Sequence, residues 1–199
     1  MGAYSQEQII IAEGTTGQEL LNFVVENYKP AEVLSWEHAK DTLYSVIDLQ
    51  ENNQLTCVYT GFTITLNTDA DPSTDADSQG INAEHTYPQS MGADYEPMKS
   101  DMHHLYPVRA AVNSSRNNAP YYDIDDSKTD VWFHLDFDQS NIPTTENIDS
   151  YSEKENDTPD KFEPREGHKG NAARSVFYFY AMYQDSASHI FFNLQKYTM

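Results

Sequence analysis

The segment that decides the fold is residues 82–121, which read NAEHTYPQSMGADYEPMKSDMHHLYPVRAAVNSSRNNAPY. Three short motifs in it, at 82–85, 101–105 and 113–118, are rich in side chains that can bind ions or move protons. Three of the chain's 7 histidines lie here, and prolines interrupt the segment repeatedly. Such punctuation predicts short elements joined by loops. The segment is therefore the first candidate for a functional site.

The residue types in this segment suit the hydrolysis of a phosphodiester. That reaction needs a general base for water, a cation for the developing charge, and help for the leaving oxygen. A histidine can be the base, and a hard cation on carboxylate and amide oxygens can supply the other two functions. Those oxygens suit magnesium or calcium, whereas paired-histidine and cysteine spacings typical of zinc are absent from the sequence.

Structural explanations for the same residues stay open at this point. A Glu-His pair such as Glu84-His85 is also typical of a solvated loop. His103 and His104 favour a structural role, in which one of them is buried and hydrogen-bonded beneath the site. Asn113 is also compatible with the capping of a turn.

The order of the motifs narrows these alternatives. The chain reads N-x-E-H-x-x-P-Q-S, then S-D-M-H-H-L-x-P, then V-N-S-x-R-x-N-x-P-Y, and later Phe-Glu-Pro at 162–164 and Lys-Gly at 169–170. This order closely resembles the endonuclease I family of bacterial secreted or periplasmic nucleases. The resemblance covers nearly the whole chain, and its central motifs are long and ordered.

The resemblance implies an α+β fold with a ββα-metal (His-Me finger) core, additional helices and long loops. In that core the two strands fall at 82–87 and 103–105, and the helix begins near Val108. His85 is then the general base, and Glu84 and Asn113 are the ligands of Mg²⁺, or of Mn²⁺ or Ca²⁺. Because adjacent strand residues point to opposite faces, we expect a bulge at Glu84 and His85.

The cationic residues depart from the family pattern. Members often carry an arginine between the base and the S-D-x-H motif, but Lys99 is the only base between His85 and Asp101. Lys99, Arg116 and Arg174 are therefore the candidates for stabilising the transition state. We expect Arg116, Arg174 and Lys169 to contact the substrate, which is DNA, with RNA as a second candidate. Asp101, His103 and His104 are expected to be structural.

The net charge of -20, with a pI near 4.4, argues against a polyanionic partner. The charge is uneven, however. Residues 81–121 carry 4 acidic and 3 basic residues, so they are nearly neutral inside an acidic shell. A polyanion can approach that face, and we expect added salt to ease the approach, as would suit a saline habitat.

The remaining sequence predicts one nuclease domain over 1–199 and a monomer. The elements predicted from periodicity and capping are a helix at 15–28, a weaker helix after Ser35, a strand at 55–66, a polar loop at 67–80, mostly loop at 127–164, and a helix from Asn171 to Met182. The one cysteine, Cys57, predicts a buried apolar residue and excludes an intrachain disulfide.

A second ion site and a rival function follow from the polar loop. Asp69, Asp71 and Asp75 stand at the spacing that begins a calcium-binding loop, although the later glycine and glutamate of such a loop are missing. The rival to an enzyme is therefore a non-enzymatic extracellular calcium-binding module. The resemblance implies a secreted or periplasmic location, while Met1-Gly2-Ala3 starts no signal peptide and no run is long enough to span a membrane.

Overall fold

The computed structural model describes residues 10–195. Contacts divide the chain into two compact units, Met1–Ala31 and Glu32–Met199. In the first unit, the predicted helix is confirmed as α1, Gly17–Tyr28, and it ends just before Pro30 as expected. The single domain over 1–199 remains a prediction. Met1-Gly2-Ala3, on which the signal-peptide expectation rests, lies outside the described residues.

The second unit contains the remaining elements. Its helices are α2 Trp36–Thr42, α3 Pro72–Ser78, α4 Ala110–Arg116, α5 Glu166–Met182 and α6 His189–Gln195, and α2 continues as a π-helical turn, Leu43–Ile47. Its strands are β1 Gln54–Thr56, β2 Thr63–Thr65, β3 Ile81–His85, β4 Leu105–Arg109, β5 Val131–His134, β6 Phe137–Gln139, β7 Ser152–Glu155 and β8 Lys161–Glu163. The described chain is thus a mixed α+β protein with small antiparallel sheets, which confirms the predicted class.

The strands form three separate sheets. β1 pairs with β2, β3 pairs with β4, and the third sheet has the order β6-β5-β7-β8. The single strand predicted at 55–66 is wrong, because the chain turns at Gly61, whose φ of 76° is in the region that favours glycine. The amide of Cys57 donates to the carbonyl of Phe62 at 2.7 Å across this turn.

The third sheet lies in the region predicted to be mostly loop, where the sequence singled out only the apolar run 131–133, so the prediction missed β6, β7 and β8. β7 has the sequence Ser-Glu-Lys-Glu, and all four of its residues are buried. Lys154 pairs with Asp160 at 3.1 Å, and Glu155 pairs with Lys161 at 2.7 Å. A strand of charged residues that is buried through such pairs lacks the apolar alternation by which strands are recognised.

Two helix predictions also need correction. The polar loop at 67–80 contains α3, whose start is capped by the Asp71 carboxylate accepting from the Thr74 amide at 2.8 Å. Pro72 stands at the first helical position, which is where proline is tolerated. α5 begins at Glu166, ahead of the predicted Asn171, and its predicted end at Met182 is confirmed.

Aromatic side chains fill the core. The rings of Tyr87 and Phe179 stack with centroids 4.1 Å apart, and Trp132 and Phe162 are fully buried. Cys57 is also buried and unpaired with another cysteine, which confirms its predicted apolar role. None of the helices within residues 10–195 has the length and apolar character needed to cross a membrane.

Candidate functional site

A polar cleft of about 460 Å³ lies along β3 and α4. The three residues with the most specific sequence predictions, Glu84, His85 and Asn113, all line it. The rest of the lining is mainly amides and hydroxyls, including Asn82, Gln89, Ser90, Ser114, Asn117 and Asn118. The fold therefore brings one carboxylate, one imidazole and several neutral polar groups together in one place, which is called the catalytic cleft below.

The strand, strand and helix follow in the predicted order, but β4 is Leu105–Arg109 and not 103–105, and α4 begins at Ala110 because Val108 still belongs to β4. The predicted bulge is wrong. β3 and β4 keep one regular register from Ile81 opposite Arg109 to His85 opposite Leu105. Because β3 pairs on one side only, the cleft can run along its free edge, and residues 82–85 all border it. Neighbouring residues thus reach one cleft without a break in the pairing.

Glu84 is buried beneath the cleft surface with one carboxylate oxygen already occupied. Its Oε1 accepts from the Tyr59 hydroxyl at 2.8 Å and from Arg116 Nη1 at 2.9 Å. Burial raises the pKa of Glu84, while the Arg116 charge and these hydrogen bonds oppose the rise. Among the described residues nothing donates to Oε2, so this oxygen remains for a ligand.

Asn113 is held in one orientation by its amide nitrogen. Nδ2 donates to Asn82 Oδ1 at 2.8 Å and to the Ala83 carbonyl at 3.2 Å. Since both neighbours are acceptors, they fix which end of the amide carries the nitrogen. The Oδ1 atom of Asn113 is then the available end, which is the atom a hard cation requires.

His85 is held as a neutral imidazole. Its Nε2 donates to the Lys99 carbonyl at 2.9 Å, and its ring stacks on Trp36 with centroids 5.2 Å apart. Burial lowers the pKa of His85 to about 3, and the charges of His104, Lys99 and Arg116 act in the same direction. With its proton on Nε2, the ring has a lone pair on Nδ1, which accepts a hydrogen bond from the Gln89 side-chain amide at 3.3 Å.

The cleft residues fit a hard cation better than a soft one. No group of three or more histidines, cysteines or carboxylates that could enclose a metal occurs within residues 10–195. The cleft instead offers one carboxylate oxygen and one amide oxygen, from Glu84 and Asn113. Magnesium commonly takes one or two carboxylates and completes its shell with water and substrate phosphate.

The cations predicted to act on the substrate are not gathered around the cleft. Arg116 is fully buried, and the structure shows no surface of it for a phosphate. Lys169 pairs with Glu163 at 2.5 Å and lines a separate acidic cavity, while Arg174 is exposed on α5 and bonds to Asn171. Lys99 lies beside His85, with its ammonium 5.3 Å from the centre of the Trp36 ring.

Asp101 accepts hydrogen bonds from several neighbouring side chains, as expected of a structural residue. Its carboxylate accepts from the His103 ring at 2.7 Å, Tyr178 at 2.7 Å and Tyr183 at 2.6 Å. Burial alone would raise its pKa, but these hydrogen bonds lower it to about 2. His104 is fully buried and donates to the Met98 carbonyl at 2.8 Å, whereas the His103 side chain is 61% exposed.

The aspartates of the proposed calcium loop serve the local fold. Asp71 caps α3, and Asp75 Oδ2 accepts from the Asn67 amide and from Gln79 Nε2, each at 2.9 Å. Asp69 belongs to the turn before the helix, and its amide donates to Asn67 Oδ1 at 3.1 Å. The described structure thus offers no observation that favours a calcium site here.

Sequence reasoning missed three residues of the site. Tyr59 holds Glu84, Trp36 packs against His85, and Gln89 reaches the His85 ring. Gln89 stands in the quoted P-Q-S motif, so the motif carried a signal for it. Tyr59 and Trp36 lie outside the three motifs, and only the fold brings them to the cleft.

A cleft that combines a neutral histidine with carboxylate and amide oxygens defines a hydrolytic centre suited to phosphate esters. The family model for Endonuclease I matches residues 15–198. The chain therefore belongs to the endonuclease I family and is a nuclease. No curated protein sequence gives a significant match to it.

Proposed function

We propose that the chain is a metal-dependent, sequence-nonspecific endonuclease that hydrolyses DNA to products with 5′-phosphate ends. The observation that carries this proposal is the meeting of Glu84, His85 and Asn113 at one cleft, with His85 neutral and its Nδ1 lone pair unprotonated. The order β3, β4 and α4 around these residues supports assignment of the core to the ββα-metal, or His-Me finger, class. RNA is the second candidate substrate, because amides and hydroxyls of the cleft lining can bond to the phosphate and sugar oxygens of either nucleic acid.

His85 acts on water in this proposal. A water molecule takes the place of the Gln89 amide at Nδ1, which accepts a proton from it as the water oxygen attacks phosphorus. The bond from phosphorus to the 3′-oxygen breaks, and the leaving 3′-oxygen takes a proton from solvent. The Lys99 carbonyl holds the ring by accepting a hydrogen bond from Nε2. Glu84 Oε2 and Asn113 Oδ1 would hold Mg²⁺, with Mn²⁺ or Ca²⁺ as alternatives. When bound, the cation supplies the positive charge that stabilises the developing oxyanion. Lys99 is the protein cation best placed to add to that charge.

The cleft lining supports low sequence specificity. Amides and hydroxyls such as Asn117, Asn118 and Ser90 can bind phosphate and sugar oxygens. Contacts of that kind position a nucleic acid without reading its sequence. Together with the family membership, this favours a nonspecific enzyme. A location outside the cytoplasm is proposed from the family membership alone, and the monomer remains a prediction.

Plasmid nicking tests the proposal directly. Supercoiled DNA is incubated with the protein and Mg²⁺, with and without a chelator, and a structured RNA is treated in parallel. We expect relaxed and linear DNA only when Mg²⁺ is free, and end-labelling should find 5′-phosphates. Cleavage that persists unchanged in excess chelator would rule out metal dependence, and no cleavage under any divalent ion would rule out the enzyme.

A further inference from the structure

Arg116, the last residue of α4, reaches beneath β3 and bonds to three successive residues there. Its Nη1 donates to Glu84 Oε1 at 2.9 Å and to the His85 carbonyl at 3.1 Å, and its Nη2 donates to the Thr86 carbonyl at 3.0 Å. The side chain is only 1% exposed. The guanidinium thus ties the carboxylate of one site residue to the backbone of the next.

Arg116 and Asn113 stand three positions apart on α4, so both project from one side of the helix. Asn113 bonds to the near part of β3, at Asn82 and Ala83, while Arg116 bonds to its far end. The helix therefore fixes β3 at two places. At the first place the helix residue, Asn113, is itself a proposed cation ligand. At the second place Arg116 holds Glu84, which is the other proposed ligand.

Tyr59 completes the arrangement around the carboxylate. Its hydroxyl donates to Glu84 Oε1 at 2.8 Å, and it lies 2.7 Å from the Tyr121 hydroxyl. The Tyr121 ring in turn lies 4.6 Å beneath the Arg116 guanidinium. Two donors thus converge on the same oxygen of Glu84. A carboxylate held in this way cannot rotate freely, and its other oxygen is kept for a ligand.

We propose that Arg116 and Tyr59 are positioning residues for the cation site, which hold Oε1 of Glu84 so that Oε2 is presented together with Oδ1 of Asn113. This assigns to Arg116 a role in place of the substrate contact expected from sequence. Groups that orient a metal ligand from behind change metal affinity or activity by about 10- to 100-fold when they are removed. The inference rests on the proposed function in taking Glu84 and Asn113 as cation ligands.

The first measurement is calorimetric titration of Mn²⁺ into the protein without nucleic acid. Tyr59→Phe removes one hydroxyl and keeps the ring, and we expect it to weaken Mn²⁺ binding about tenfold. Tyr87→Phe is the matched control, because this equally buried tyrosine donates to the Ser188 carbonyl at 2.9 Å, away from the site. Thermal unfolding verifies that both variants are folded.

Arg116 is tested by two substitutions. Arg116→Lys keeps the charge but cannot bond to Glu84 and both carbonyls at once, so we expect affinity to fall about tenfold. Arg116→Met leaves Glu84 buried without its charge partner, and we expect a loss of about a hundredfold or a failure to fold. Partial rescue by lysine separates positioning of the carboxylate from simple packing.

The outcomes separate this inference from the nuclease proposal. For DNA cleavage we expect the Mg²⁺ concentration at half-maximal rate to rise in Tyr59→Phe while KM for DNA stays constant, because Tyr59 is buried. A folded Tyr59→Phe protein with wild-type Mn²⁺ affinity would overturn the positioning role, even if the wild type cleaves DNA. Mn²⁺ binding that is weakened in Tyr59→Phe, in a protein whose wild type cleaves no nucleic acid, would instead overturn only the proposed function.

Discussion

The catalytic cleft and the acidic cavity near the start of α5 show two ways of using carboxylates. The cleft, of about 460 Å³, contains one carboxylate, and that group is paired with Arg116. The acidic cavity, of about 240 Å³, is lined by six carboxylates and Lys169; the carboxylates are Asp123, Asp126, Asp149, Glu153, Glu163 and Glu166. Both cavities are polar, but their charges differ strongly.

The difference explains how a chain of net charge -20 can be a nuclease. A phosphodiester entering the cleft meets amides, hydroxyls and a neutral histidine rather than unpaired carboxylates. In the acidic cavity, burial raises the pKa of Glu153 to about 7 and also raises that of Glu163, which shows how poorly that cavity accommodates further negative charge. The net charge therefore describes the surroundings of the cleft and not the cleft itself.

The largest expected effect comes from the base. We expect His85→Ala to lower the rate of DNA cleavage by about a hundredfold or more, because a general base is lost. His189→Ala, in the exposed part of α6, is the control and should cleave at the wild-type rate. Single-turnover kinetics make the measurement, and a His85→Ala rate within a few-fold of wild type would remove His85 from the mechanism.

The ligand substitutions sharpen the contrast between the two cavities. Glu84→Ala and Asn113→Ala should each weaken Mn²⁺ binding by at least about tenfold, since each deletes an oxygen that contacts the cation. Asp126→Asn in the acidic cavity and Asp71→Asn at the cap of α3 should leave that affinity unchanged. Calorimetry in which only the aspartate variants lose affinity would favour the calcium-binding module.

Substitution of two lysines, one beside His85 and one in the acidic cavity, tests which protein cation acts in catalysis. Lys99→Met should lower turnover about tenfold with little change in KM, because Lys99 lies beside His85 and can stabilise transition-state charge. Lys169→Met should leave turnover unchanged, since its partners are Glu163 and Glu166. Arg174→Ala is measured alongside. If neither Lys99→Met nor Arg174→Ala changes turnover, the metal alone stabilises the charge of the transition state.

Salt should change the rate a few-fold. The screening length falls from about 30 Å at 0.01 M to about 3 Å at 1 M, so salt hides the acidic shell from approaching DNA. We expect cleavage at fixed Mg²⁺ to have an optimum above physiological ionic strength in both NaCl and KCl. Replacing Asp123, Asp126 and Glu166 by amides should move the optimum to lower salt. A rate that falls steadily from the lowest salt would contradict this account.

The last prediction concerns stability against acid and not the rate of cleavage. Burial, with the charges of Arg165 and Arg174, lowers the pKa of His168 in the folded state to about 3. In the unfolded chain the pKa of His168 keeps its ordinary value near 6.5. Between pH about 3 and about 6.5 the unfolded state therefore binds one more proton than the folded state. His168 therefore costs about 1.4 kcal/mol of stability for each pH unit below about 6.5.

Comparing His168→Gln with wild type isolates this contribution. The free energy of unfolding of the variant, relative to wild type, should improve steadily as the pH falls from about 6.5 to 4. Urea unfolding at several pH values makes the measurement, and the other ionisable groups cancel in the difference. A constant difference across this range would show that His168 is not buried as a neutral ring.

The sequence by itself determined the residues of the cleft. Glu84, His85 and Asn113 stand in local motifs whose order is specific to one family, and the family match over 15–198 bears out that resemblance. The order of strand, strand and helix around them was implied by the same resemblance, although the second strand and the helix lie further along the chain than it placed them. The near neutrality of this segment could be counted directly.

Only the tertiary structure decided what surrounds those residues. From the sequence we expected Arg116 to contact the substrate, but the fold buries it against Glu84, 32 residues away. Tyr59 reaches the same carboxylate from 25 residues away, and the charged strand β7 is buried by pairs with Asp160 and Lys161. Burial and pairing depend on which distant segments meet, because residue type alone does not fix how much water a charge retains.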